Sequence, residues 1–112
     1  MATKKRIARH LKVKPEDLRL SRWDSADYLR TEQDVAEYFD AALEEGGDDP
    51  VYMLHVLGTI ARARGMMKLA SESGLTRAGL YKALAPNAKP SIQTVHKIAK
   101  ALGFRLTFTH AV

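Results

Sequence analysis

Gly65–Ala85, GMMKLASESGLTRAGLYKALA, is the stretch that decides the fold. Two short helical patterns, Met66–Ser73 and Arg77–Ala85, flank Gly74-Leu75-Thr76. Gly74 takes the positive φ that a tight turn between helices demands without a Cβ penalty. Leu75 follows as an apolar plug, and the Thr76 hydroxyl is placed to cap the second helix. Leu69 and Ala70 on the first helix, with Leu80, Ala83 and Leu84 on the second, form one inward apolar set. The small Ala70 lets the two helices cross closely. Thr76, Arg77, Ala78, Tyr81, Lys82 and Ala85 remain on the outside. A short helix with small, hydroxyl and cationic side chains on its free face suits a DNA major groove. The segment therefore reads as a helix-turn-helix.

Working outward, a chain of 112 residues suits one compact domain with a modest core. Hydrophobic residues make up 46% and charged residues 28%, which argues against wholesale disorder. The absence of cysteine excludes disulfides, thiolate metal sites and cysteine nucleophiles. The basic N-terminus leads into no apolar signal region, and no apolar run approaches the ~18 residues that span a bilayer. A soluble, cytoplasmic protein with no membrane partner is expected.

The net charge of +5 hides a division along the chain. Residues 1–14 carry six Lys/Arg and no acid, whereas residues 15–50 carry 12 acids against three Arg, a local charge of −9. Residues 51–112 carry nine Lys/Arg against Glu72 alone. Such asymmetry suggests a polyanion as partner of the C-terminal half and a cationic protein as partner of the acidic segment. The plainer alternative is that the acidic helix folds back on its own basic neighbour.

Residues 1–22 form a basic N-terminal arm, either a solvated tail or a flexible extension that touches phosphates. Trp23 reads as a staple onto the core, and Ser25–Leu29 as one helical turn. Thr31 caps an acidic helix over 31–45, with Glu32 and Asp34 suited to its positive N-terminal dipole. Val35, Phe39 and Leu43, with Ala36 and Ala42, mark its apolar stripe, and Glu37, Asp40, Glu44 and Glu45 its wet side. Asp49-Pro50 opens a helix running to about Arg64, with Leu54, Leu57, Gly58 and Ala61 inward and Met53 and Ile60 on the flanks. Pro86–Pro90 is a loop. Ser91 caps a last helix over 91–102 with Ile92, Val95, Ile98, Ala99 and Leu102 on its apolar face. Residues 104–109 alternate apolar and polar and read as a strand, paired with its symmetry mate in a homodimer or left as a frayed tail.

Ile60–Met66, Gly74–Arg77, Leu80–Leu84, Pro90-Ser91, Thr94-Val95 and Lys100–Gly103 together resemble the addiction-module antidote family. These are small antitoxins with a phage-repressor-type (Cro/Xre-like) helix-turn-helix. Trp23-Asp24, Tyr28-Leu29 and Ala36–Tyr38 fit the same pattern upstream, so the resemblance runs from about Arg22 to Leu106. It implies an all-α fold, a five-helix, phage-repressor-like helix-turn-helix domain over 23–112, to which the residues themselves add the extra N-terminal acidic helix and the short C-terminal strand. It also implies the antitoxin of a type II toxin–antitoxin module. Such a protein binds operator DNA as a homodimer to repress its own promoter, and neutralises a small ribonuclease-like toxin encoded beside it.

By similarity to phage-type repressors, base-edge contacts fall on Arg77, Ala78 and Lys82, and phosphate contacts on Thr76 and Lys89. Arg is the commonest reader of guanine, and Ala touches a thymine methyl. Tyr81 shares that face. Met66 stands where those repressors often carry Gln, so phosphate contact there falls to the backbone N–H of the helix start. Gly79 costs about 1 kcal/mol relative to Ala inside a helix. The acidic surface carrying Glu37, Asp40 and Glu44 is the expected grip on a basic toxin.

Catalysis has little support. His10, His55, His96 and His110 lack metal-binding spacing, there is no nucleophile elbow or P-loop, and the carboxylates of Glu32–Glu45 line a helix rather than converge. No enzyme activity, cofactor or metal is expected. The alternatives are a DNA-binding regulator without a toxin partner, or a helix-turn-helix used only for protein interaction. The cationic, acid-free outer face of Arg77–Ala85 favours DNA.

Overall fold

The computed structural model describes residues 28–111. The expectations for residues 1–22, Trp23 and the first part of the Ser25–Leu29 turn lie outside that range. Five helices are present among the described residues: α1 (Glu32–Gly46), α2 (Pro50–Arg64), α3 (Met66–Ser73), α4 (Arg77–Ala83) and α5 (Ile92–Ala101). None is long and apolar enough to cross a membrane. The chain divides into two compact units between Ala63 and Arg64.

In the first unit, α1 begins with a complete capping box. Thr31 Oγ1 accepts from Asp34 N–H at 3.0 Å, and the Asp34 carboxylate accepts from Thr31 N–H at 3.2 Å. Asp49 caps α2 with its side chain alone, Oδ1 accepting from the Val51 and Tyr52 N–H groups at 3.0 and 3.2 Å. The buried side chains of α1 are Tyr38, Ala41 and Ala42, whereas Leu43 is 46% exposed and Ala36 lies in solvent. The inward face is thus turned about one residue position from the stripe expected through Val35, Phe39 and Leu43. Tyr38 takes the inward position, its ring buried and its hydroxyl beside Thr59 of α2.

The centre of α2 is enclosed on every side. Val56 through Ala61 are all buried, Ile60 among them, instead of Ile60 flanking an inward stripe. Thr59 is 0% exposed, and its hydroxyl donates to the His55 carbonyl while accepting from Arg62 Nη2, each at 3.2 Å. Two bonds plus the Tyr38 contact satisfy a polar group that would otherwise be expensive to bury.

In the second unit, α3 packs on both α4 and α5. Its core joins Leu69 and Ala70 of α3, Leu80, Ala83 and Leu84 at α4, and Ile98, Ala99 and Leu102 at α5. Gly74 ends α3 in the left-handed region at φ 78, ψ 8, and the chain re-enters helix at Arg77. Ile92 does not join the core and is exposed in the first turn of α5.

The expected strand over 104–109 is absent: no strand occurs among the described residues. Phe104 N–H donates to the Ala99 carbonyl at 2.8 Å, closing off α5, and the following residues carry no ladder. A strand needs a second one to pair its N–H and C=O groups with, and the described residues of this chain offer none, so alternation alone yields no sheet within it. Phe108 is 85% exposed as a result.

Candidate nucleic-acid interface

The outer face of α4 follows from how the helix is anchored. Thr76, the N-cap, holds extended backbone angles while its Oγ1 accepts from Gly79 N–H at 3.0 Å. Leu80 and Ala83 then point into the core, so the helical period turns Arg77, Ala78, Tyr81 and Lys82 outward. All four are exposed, as are Thr76 and Ala85. The Arg77 guanidinium lies over the Tyr81 ring, 5.6 Å from its centroid. Lys82 sits in the last turn, where a cation meets the negative end of the helix dipole.

The loop after α4 brings a second cation to this face. Ala88 N–H donates to the Ala85 carbonyl at 3.1 Å, with Pro86 second in the turn and Asn87 third at φ 63. That is the pattern of a type II turn, in which Pro presets the first central residue and Asn tolerates the left-handed second. Lys89 emerges from it exposed, just before α5. Ser91 caps α5, its Oγ accepting from Thr94 N–H at 3.2 Å and donating to Thr94 Oγ1 at 3.0 Å.

Lys82 and Lys89 converge on one open cleft of about 240 Å³, together with Gly79, Ala83, Ala88, Pro90 and Thr94. Thr94 joins the site as well, and its signal in the sequence is the Ser91/Thr94 spacing at the helix start. Met66 stands apart from this group. It begins α3, half-buried, after a Gly65 that gives no side-chain cap. A second cleft of about 500 Å³ between α3 and α5 is lined by Glu72, Ser73, His96, Lys97, Lys100 and Ala101, and nothing in the sequence had pointed to it. Glu72, the single acid of residues 51–112, lies 3.9 Å from Arg64, on α3 and away from the α4 residues.

The acidic residues occupy the other unit. Asp40 and Glu44 are exposed on α1, and Glu37 is half-buried, accepting from Gln33 Nε2 at 3.1 Å. Glu45 accepts from the Tyr52 hydroxyl at 3.1 Å. No group of three or more His, Asp or Glu among the described residues is arranged to hold a metal.

A family model described as "probable addiction module antidote protein" matches residues 19–110. A protein of Haemophilus influenzae strain Rd, itself described as uncharacterized, is 40% identical over 86 residues, covering 77% of this chain and 87% of the relative. No solved structure matches.

Proposed function

The chain belongs to the probable addiction module antidote family, and on that premise we propose that it is the antitoxin of a type II toxin–antitoxin module. In this reading α3 and α4 form a helix-turn-helix of the Cro/Xre kind that binds operator DNA and represses the shared promoter. Base edges are read by Arg77, Ala78 and Lys82, with Tyr81 beside them. Phosphates are held by Thr76, by Lys89 and by the backbone N–H at Met66. Two copies bind as a two-fold dimer on half-sites about 10 bp apart, or a multiple of that. The acidic face of α1, with Glu37, Asp40 and Glu44, grips a small basic ribonuclease-like toxin in the cytoplasm. The protein performs no catalysis itself.

The observation that carries the DNA reading is the division of α4. One face is buried through Leu80 and Ala83, and the other is exposed, cationic and free of acids. Any solvated helix face is polar; what supports DNA here is that the charges on this one, Arg77 and Lys82, are both cations. Charge supplies affinity for any duplex, while side chains at base edges supply discrimination.

An electrophoretic shift titration tests the assignment with two duplexes: the promoter upstream of the chain's own reading frame, and a random sequence of equal length. Arg77→Ala is expected to lose roughly 1–3 kcal/mol on the promoter and little on random DNA. Lys89→Ala is expected to weaken both alike and to reduce the salt slope by about one. Equal losses for Arg77→Ala on the two duplexes would sink the base-reading role.

A further inference from the structure

We infer that Tyr81 is a positioning residue for Arg77. Its ring holds the guanidinium in place on the outer face of α4 and thereby sets sequence discrimination rather than overall affinity. The inference rests on the DNA reading of α4 given above.

Arg77 and Tyr81 are four apart, so they stand one above the other on the same side of the helix. The distance of 5.6 Å from guanidinium carbon to ring centroid is within the range of a cation–π contact. Tyr81 is 48% exposed, so its ring is not a core member recruited for burial. Arg77 pairs with no carboxylate among the described residues, since Glu72 lies beside Arg64 on α3. Lys82, the neighbouring cation, lines the cleft shared with Lys89 instead. The ring is therefore the contact that restricts an otherwise mobile side chain.

The chemistry of the contact matters for reading DNA. A cation–π contact acts on the charge of the guanidinium and uses none of the N–H donors along its planar edge. That edge is the one that bonds to guanine O6 and N7. Holding the fork in place before DNA arrives removes part of the ordering cost of binding. The benefit accrues only where a guanine is present to receive it, so it appears as discrimination.

Two measurements test this. In the DNA-free protein, the Arg77 δ-methylene protons should be shifted upfield in the NMR spectrum by the Tyr81 ring, and return to ordinary positions in Tyr81→Leu. Shifts already at ordinary positions in the unsubstituted protein would overturn the cation–ring contact whatever the protein binds. In the shift titration, Tyr81→Leu should lose roughly two- to fivefold on the promoter duplex with no loss on the random duplex. Tyr81→Phe, which keeps the ring, should restore the full preference, and Tyr81→Leu should have no further effect in an Arg77→Ala background. Circular dichroism confirms that each variant is folded. Loss in Tyr81→Phe as large as in Tyr81→Leu would assign the hydroxyl a direct DNA contact and refute positioning. A protein that never prefers the promoter duplex would refute the DNA reading itself, whereas a preference that survives Tyr81→Leu refutes only the role given to Tyr81.

Discussion

Gly79 sits inside α4, where alanine is ordinarily better by about 1 kcal/mol, and its environment explains why that gain is withheld. A Cβ built there meets Thr76 Oγ1 at 3.0 Å, against ordinary contact from 3.4 Å outward. The hydroxyl must retreat by about 0.4 Å, and it is the same atom that accepts the Gly79 N–H at 3.0 Å. Retreat stretches the cap toward the limit of a useful hydrogen bond. Loss of an N-cap bond of this kind costs about 1 kcal/mol. The two effects oppose each other at similar size, so Gly79→Ala is expected to change stability by less than about 0.5 kcal/mol, a Tm shift of a few degrees at most. In a Thr76→Ala background the hydroxyl is gone and the full gain of about 1 kcal/mol, some 4–8 °C, should return. Thermal unfolding of the four proteins by circular dichroism gives the comparison. An equal gain in both backgrounds would refute the conflict between the Cβ and the cap.

Three further outcomes are expected. Thr59→Val should destabilise by roughly 1–3 kcal/mol in urea unfolding, because Tyr38 and Arg62 Nη2 lose a buried hydroxyl partner, while Thr59→Ser should retain most of it. Burial raises the Tyr38 pKa above 10.0, against the opposing pull of Thr59 and Arg62, and burial followed by the Glu45 charge raises that of Tyr52. Each group's contribution is therefore full below pH 10 and is lost as pH rises toward the folded value, at up to about 1.4 kcal/mol per pH unit per group. Stability measured from pH 9 to 11 should fall, and Tyr38→Phe with Tyr52→Phe should flatten the decline. Asn87, at φ 63, should tolerate Gly but lose about 1–2 kcal/mol on replacement by Val, read by the same urea titration.

Local chemistry made much of the second unit legible. Gly65 and Gly74, at φ 107 and 78, bracket α3 at the bounds their positions imply, and the Thr31, Thr76 and Ser91 hydroxyls cap the helices they precede. The helical period alone separated Leu80 and Ala83 from Arg77 and Tyr81. What escaped the sequence depends on contacts distant in the chain. Tyr38 and Thr59 are polar, yet both are buried: the Thr59 hydroxyl is satisfied by the His55 carbonyl and Arg62 Nη2, and Tyr38 takes the inward position on α1 that Leu43 leaves. The cleft joining Lys82, Lys89 and Thr94 requires the loop after α4 to fold back toward that helix. Residues 104–109 have the alternation of a strand, but the described residues of this chain supply no neighbour to complete one. The same distinction runs through the site: the exposure of Arg77 was readable from spacing, whereas its position 5.6 Å from the Tyr81 ring centroid needed coordinates.

The central claim is that this chain neutralises a toxin, and growth measures it directly. The product of the adjacent reading frame, expressed alone, is expected to arrest growth, and co-expression of this chain to restore it. A variant with Glu37, Asp40 and Glu44 all changed to Lys should fail to rescue and should no longer co-purify with that product. Arrest that persists in the presence of the unsubstituted chain, or growth that is never arrested, would contradict the antitoxin assignment.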